Sequence, residues 1–397
     1  MAMIIAPTRI EPARIEEIDT RLADAALELA KASAGIGRNL APATLAQVAE
    51  MVRLMNSYYS NRIEGNNTRP RDIERALGGE FDADPARRAL QMEHAAHVRL
   101  QAEIDARAAE GRLEDPTAPE FIRWLHREFY RDADPETLTI RQGATTIRMS
   151  PGEWRDGDVE VGDHVPPPHE HVPPFMDHFH GRFRRDWMHG QTAKILAVAT
   201  SHHRLNYIHP FYDGNGRVSR LMSHAMAHQA GIGGHGLWSV SRGLARGLAG
   251  GMPGRDEYGA MMRLADRPRQ GDRDGRGNLS LKALETFTTW FLEVCLDQVR
   301  FMDQLLDFDN MGGRLTRYAR LREFRAGSAE LLRVVMLRGR VERGDVAAFI
   351  GTAPRTARAV IKELTDDGIL GSTSPRGALE LRFPSQTHEA LFPLLFE

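Results

Sequence analysis

Cysteine is almost absent: the 397-residue chain holds one, Cys295, which excludes an internal disulfide and a zinc site built from several thiolates. It stands in the apolar helical stretch Trp290-Phe291-Leu292-Glu293-Val294-Cys295 and reads as a buried structural thiol. Lysine is scarce too, with four (Lys31, Lys194, Lys282, Lys362) among 52 basic residues, a bias that carries no functional weight. Neither sign of charge dominates. The formal net charge is −2, so no whole-chain field draws the protein onto nucleic acid or anionic lipid, and any such binding has to be local. No run approaches the roughly 18 apolar residues of a membrane span. Residues 1–9 lack the basic flank and long apolar core of a secretory signal, so a reducing cytoplasm and no membrane partner are expected. With 42% hydrophobic and 27% charged residues, a mainly disordered or collagen-like chain is excluded. At about 150 residues per domain, the length gives two or three compact units.

Residues 15–110 are patterned as helices. The clearest puts Leu45, Val48, Val52, Met55, Tyr59 and Ile63 on one stripe at three-and-four spacing and stops at Gly65-Asn66-Asn67. Thr68 is a candidate cap for the next helix, 69–77, ended by Gly78-Gly79, and further helices are expected over 85–109 and 121–129. Between 137 and 168 the chain changes to Thr-Ile-Arg alternation, four glycines including Gly143, and Val165-Pro166-Pro167-Pro168, the pattern of one small β element and a loop. Helices resume over 173–188, 192–207 and 280–307, and residues 265–278 read as an exposed polar loop. After residue 326 the order is helix, short helix (345–350), helix (354–367), then the alternation Leu379, Leu381, Phe383 behind Ser374-Pro375-Arg376-Gly377. That is the order of a winged helix-turn-helix.

The chemistry lies in Ile208-His209-Pro210-Phe211-Tyr212-Asp213-Gly214-Asn215-Gly216-Arg217-Val218-Ser219-Arg220. A loop with two glycines feeds directly into a helix, so its amides can face an anion while the helix N-terminus adds about half a positive charge. Arg217 and Arg220, three apart, can contact neighbouring phosphates. Asp213 offers a hard oxygen of the type Mg²⁺ takes, and His209 is the side chain suited to general-base work. An EF-hand starting at Asp213 fails because Arg217 and His224 stand where oxygen ligands are needed. Walker-A spacing is absent, and the loop follows a helix where a dinucleotide fingerprint needs a strand.

This stretch resembles the Fic-domain signature His-Pro-Phe-x-Asp-Gly-Asn-Gly-Arg-x-x-Arg, with all nine fixed positions present. The resemblance implies a mainly α fold: a Fic-type helical bundle with a small β-hairpin flap, followed here by the winged helix-turn-helix. The expected divisions are 1–114 (with an inhibitory helix at about 43–64), 115–325 and 326–397. It also implies AMP transfer from Mg²⁺-ATP to a hydroxyl of a target protein or of the chain itself. His209 would take the hydroxyl proton, Asp213 would hold Mg²⁺, and Asn215, Arg217 and the amides of the loop from Phe211 through Gly214 would steady the α and β phosphates. Arg220 would hold the γ-phosphate. Gly216 matches AMP-transferring members, whereas the phosphorylating Doc branch carries lysine there. Val159, Glu160, Val161 and Gly162, ahead of Val165-Pro166-Pro167-Pro168, resemble the flap that registers the target by strand addition, and Tyr258 resembles one of two tyrosines near the adenine pocket.

Ser60-Asn61-Arg62-Ile63-Glu64-Gly65 resembles the family's inhibitory motif, in the position of its second class. Serine and glutamate at i and i+4 share a helix face, so Ser60 and Glu64 would set a carboxylate against Arg220 and repel the γ-phosphate, with Gly65 ending the helix. A few such relatives also remove AMP. Arg355, Arg358 and Lys362 lie on one face of the third C-terminal helix with Arg376 on the wing, a candidate DNA face. Residues 330–397, however, hold nine basic and nine acidic residues. A DNA-binding regulator whose loop senses ATP is the alternative; a sensor has no need of His209. The six histidines between His164 and His189 lack the i, i+4 spacing of a helical zinc site and read as structural or solvated. His202 and His203 read as packing or positioning residues and His126 as core. The sequence leaves homodimerisation open.

Overall fold

Apolar spacing of three and four makes most of the first hundred residues helical, and an aspartate cap or a proline marks where each helix begins. In the computed structural model, which describes residues 6–142, 145–248, 252–374 and 376–397, they form α1 (Thr20–Gly35), α2 (Pro42–Ile63), α3 (Pro70–Leu77) and α4 (Pro85–Ala109). Asp19 and Asp84 accept from the Leu22 and Arg87 amides at the starts of α1 and α4. Proline opens α2, α3 and α4, where its missing N–H costs nothing. Thr68 does not cap α3: its hydroxyl donates to Asn66 Oδ1, and Arg69 takes the cap position without a side-chain bond. On α2 the expected stripe is buried from Val48 to Ile63, while Leu45 is only partly covered.

After α5 (Pro119–Phe129), the expected small β element is a two-stranded hairpin, and the flap lies beyond it as a loop. Strands β1 (Thr139–Gln142) and β2 (Thr145–Arg148) pair antiparallel with Ile140 opposite Ile147. The flap at 158–165 carries one isolated bridge, Val161 to His164. Gly162 turns the chain at φ 58°, and Pro166, Pro167 and Pro168, which have no N–H to donate, follow. Gly143 and Pro375, expected at turns, lie outside the described residues.

Four helices follow, α6 (Val172–Phe183), α7 (Gln191–Ile208), α8 (Asn215–Gln229) and α9 (Val240–Arg246), then α10 (Gly254–Ala265). The helix expected to reach 188 stops at Phe183, because Arg184 is extended and a short 3-10 turn occupies Arg185–Trp187. α7 and α8 pack against each other across the glycine loop, and both are buried on nearly every face. The long helix α11 (Leu281–Leu305) ends where Asp307 caps α12 (Phe308–Leu321) by accepting from the Asn310 amide. Cys295 is 1% exposed, and burial pushes its thiol well above the ordinary range.

The C-terminal residues form α13 (Ser328–Arg338), α14 (Val346–Phe349), α15 (Pro354–Asp367), the antiparallel pair β3 (Leu370–Gly371) and β4 (Glu380–Leu381), and α16 (His388–Leu391). This module is tied to α2. Tyr59 donates to the Leu395 and Glu397 carbonyls, and buried Arg242 donates to the Leu394 and Leu395 carbonyls and to Gln298. Phe396 meets Tyr58 edge-on. One apolar core runs unbroken from Ile10 to Leu395. Among the described residues no helix is long and apolar enough to cross a membrane.

Candidate active site

The α7 helix ends at a residue most side chains avoid. His209 takes a left-handed conformation (φ 52°) while its amide still donates to the Leu205 carbonyl, and Pro210 then stops the helix. Asn215 folds the turn from inside: its Nδ2 donates to the Phe211 carbonyl at 2.8 Å, and its Oδ1 accepts from the Phe211 amide at 3.0 Å. Gly214 caps α8 at φ 77°, where a Cβ would lie 2.8 Å from the Tyr130 hydroxyl. The amides of Asn215, Gly216 and Arg217 form the first turn of α8, whose N–H groups have no partner within the helix. The loop can therefore receive an anion on its backbone, as expected. The Asn215 side chain is committed to the turn, which leaves its backbone amide as the group that could meet an anion.

His209 is largely enclosed, and burial lowers its imidazole to about 4 against the opposing pull of the Asn206 carbonyl. It is neutral at physiological pH. Its carbonyl accepts from Arg155 Nε at 2.9 Å, and the same guanidinium donates to the Gly157 and Pro167 carbonyls while the Arg155 amide donates to Pro210. One buried arginine thus sews the flap to the loop. Val159 is half-buried, and Glu160, Val161 and Gly162 are exposed, an edge left open beside His209. Phe211 is fully buried, stacked on His126 with ring centroids 3.9 Å apart. His126, as expected, is core.

Arg217 does not project from the loop. Nη1 meets Glu93 at 2.7 Å, and Nη2 donates to Asp213 Oδ2 and to the Tyr130 hydroxyl at 2.7 Å each. The side chain expected to grip phosphate directly is engaged instead by Glu93, Asp213 and buried Tyr130, and only its Nε is left without a partner. Burial pushes the Asp213 carboxyl up, but Arg217 and Tyr130 outweigh it and hold it below the usual carboxylate range. Both contacts use Oδ2. With a side chain 45% exposed, Asp213 still has Oδ1 to offer a hard cation.

Arg220 is met from α2. Ser60 Oγ accepts from its Nε at 2.9 Å, the Ser60 carbonyl from Nη2 at 3.0 Å, and Glu64 Oε1 from Nη2 at 2.6 Å. The end of α2 aims that carboxylate. The Gly65 amide bonds the Arg62 carbonyl, the Asn66 amide bonds the Asn61 carbonyl, and Gly65 adopts φ 92°: a Schellman stop. Burial pushes Glu64 up, while Arg220 and Arg217 prevail and hold it below the ordinary value. A Cβ at Gly216 would lie 2.5 Å from Glu64 Oε1 and 2.9 Å from Arg220 Nη1; the glycine is where α2's carboxylate and α8 close on each other.

Tyr258 lies in this wall. Its ring is parallel to Trp290, its hydroxyl meets His202 Nε2 at 2.7 Å, and it is 8% exposed. It is packed under the Arg220 side of the site and presents no open face to a base, contrary to the expectation for an adenine pocket. His203 pairs with Asp266 at 3.1 Å, and His202 bonds the Ser223 hydroxyl; both are packing residues. Far away, Arg355, Arg358, Lys362 and Arg376 are exposed, with Lys362 paired to Asp366 on its own helix. Sequence reading missed Glu93, Tyr130 and Arg155. Nothing in their local pattern distinguishes them, since each reaches the loop from 54 or more positions away in sequence.

Residues 116–227 match the family model described as Fic/DOC family. A protein adenylyltransferase Fic of Nematostella vectensis is 31% identical over 179 residues, 44% of this chain and 37% of that protein. The same-named protein of Aedes aegypti is 38% identical over 84 residues, 20% of this chain and 16% of that protein. The chain therefore spans well under half the length of the curated relatives it matches. In fold it is similar to a Fic family protein from Desulfovibrio desulfuricans (TM-score 0.51, 17% identity, 92% of this chain and 97% of that one). It is also similar to residues 134–508 of Fic-1 from C. elegans (TM-score 0.50, 16% identity, 71% of each chain).

Proposed function

This chain contains a Fic/DOC-family domain, and from that premise we propose that it is an autoinhibited adenylyltransferase that moves AMP from Mg²⁺-ATP onto a Ser, Thr or Tyr hydroxyl of a protein. The observation that carries the reading is the α7–α8 turn. It sets a neutral, part-buried imidazole at 209 and a buried guanidinium at 220 on either side of unpaired helix amides, and the guanidinium is covered by a removable carboxylate. Phosphate oxygens would take the first-turn amides of α8 and, once Glu64 leaves, Arg220. Mg²⁺, held through Asp213 Oδ1, would neutralise charge on the α and β phosphates.

His209 would then take the proton of the target hydroxyl. The hydroxyl oxygen bonds to the α-phosphorus as the bond to the β-phosphate breaks, and pyrophosphate leaves with that electron pair. The open edge at 159–162 would seat the target backbone beside His209. Glu64 would act as the brake: while it holds Arg220, the γ-phosphate meets a carboxylate where it needs a cation. A winged helix at 326–397 with a DNA face at Arg355, Arg358, Lys362 and Arg376 is less supported, since Lys362 is already paired with Asp366.

The deciding experiment treats cell lysate with ATP and the Glu64→Gly variant and searches by mass spectrometry for added AMP on hydroxyl side chains. Peptides carrying AMP, including the chain's own, are the expected result. Phosphate in place of AMP, or no modification, overturns the reading.

A further inference from the structure

Three side chains outside the nucleotide loop converge on one point. His224 and His228 stand four apart on α8 and turn the same ring nitrogen to one oxygen of Asp105 on α4: His224 Nε2 lies 2.7 Å and His228 Nε2 3.0 Å from Asp105 Oδ1. The two nitrogens are 3.3 Å apart. The i, i+4 pair is the helical spacing that brings two imidazoles to one metal, and the carboxylate completes a two-histidine, one-carboxylate set. We propose that Asp105, His224 and His228 bind one Zn²⁺, with a fourth position open to solvent.

The distances support this. With zinc–ligand bonds of about 2.0–2.1 Å, two ligands of a tetrahedral Zn²⁺ lie roughly 3.3 Å apart. The nitrogen–nitrogen edge already has that length, and the two carboxylate edges, 2.7 and 3.0 Å, need to open toward it by well under an ångström. Without a cation, two imidazole N–H groups crowd one acceptor. A dication accepts a lone pair from all three atoms at once.

The surroundings are arranged for ligation. Arg53 Nε on α2 donates to Asp105 Oδ2 at 2.9 Å, which holds the second oxygen and leaves Oδ1 facing the rings. The loop after α8 presses on two of the ligands: a Cβ at Gly233 would lie 2.6 Å from His228 Nδ1, and one at Gly236 would lie 3.2 Å from Asp105 Oδ2. The three side chains are 6–13% exposed, and Asp105 and His228 line a cavity of about 860 Å³. The fourth position therefore faces a space that admits water or a small anion. Nitrogen donors suit Zn²⁺ and exclude Mg²⁺ as the preferred occupant, so this centre is distinct from the cation that Asp213 would share with ATP.

The test uses the untagged full chain, stripped with a chelator and titrated with Zn²⁺ against a chromophoric competitor, and with Co²⁺ as a spectroscopic stand-in. One Zn²⁺ per chain and the intense visible absorption of four- or five-coordinate Co²⁺ are expected. His228→Gln and Asp105→Asn should each weaken Zn²⁺ more than 100-fold, and Arg53→Met, which keeps all three donors, by about 10- to 100-fold. Circular dichroism in the presence of chelator verifies that each variant is folded, and the comparison rests on those that are. Zn²⁺ affinity unchanged in folded His228→Gln or Asp105→Asn, or a weak octahedral Co²⁺ spectrum, overturns the proposal. Adenylyl transfer is not the readout, so failure here leaves the reading of the nucleotide loop standing.

Discussion

On the proposed reading, replacing Glu64 by glycine is expected to raise AMP transfer, by an amount set by the contact. Glu64 Oε1 lies 2.6 Å from Arg220 Nη2, so a γ-phosphate approaching that guanidinium brings its charge to about 4 Å from the carboxylate. Two unit charges at that distance repel by roughly 4 kcal/mol at an effective dielectric near 20. The Glu64 side chain is 41% exposed, so water and salt screen the repulsion, and about 2 kcal/mol is the better figure. At about 1.4 kcal/mol per decade, that is roughly 30-fold in productive ATP binding, rising toward several hundredfold where screening is poor. ATP labelled at the α-phosphate measures the effect as label transferred to protein against ATP concentration. Glu64→Gln separates charge from bulk: the amide removes the repulsion but keeps its volume near Gly216, so it should release less activity than glycine. Equal labelling by the parent chain and Glu64→Gly would refute the brake. Activation by Glu64→Gly with none by Glu64→Gln would show that bulk, not charge, blocks the site.

In the Glu64→Gly background, His209→Ala should lower transfer by about 10²- to 10⁴-fold, the usual loss of a positioned base; a loss of less than threefold would remove the imidazole from the chemistry. The base works neutral, and burial lowers it to about 4. kcat/KM of Glu64→Gly should therefore stay level from pH 8 to pH 5 and fall only as pH approaches that value, whereas a midpoint near the ordinary 6.5 would contradict the enclosure of the ring. Arg242→Met takes the donor from the buried Gln298 Oε1 and from the Leu394 carbonyl and one of two donors from the Leu395 carbonyl, and should cost about 2–4 kcal/mol, seen as a lower Tm. An unchanged melting curve would mean those carbonyls find water.

How far the sequence could be read depended on whether the information was local. The turn from His209 to Arg220 and the end of α2 at Glu64 were legible, because glycine conformation, capping and i, i+4 geometry act within a few residues. The helices up to α8 and the long α11 followed from apolar spacing with glycine stops, whereas α9 and α10 went unread. Arg155, Glu93 and Tyr130 were not legible: each matters only because folding brings it to a loop far along the chain. That same folding explains why Arg217, which by spacing faces phosphate, is enclosed by Glu93, Asp213 and Tyr130. The expected helix ended at 307, within two residues of the end of α11 at Leu305; what went unread was α12, which begins directly behind its cap Asp307. His224 and His228 stood four apart in plain view, but their partner Asp105 lies 119 positions before the first of them.

The closeness of Gly216 to Glu64 has a consequence for how such proteins diversify. Any side chain at 216, the lysine of the phosphorylating branch included, would collide with the carboxylate that restrains Arg220. On the proposed reading, a change of transferred group made through a side chain at 216 would therefore also displace the contact between Glu64 and Arg220.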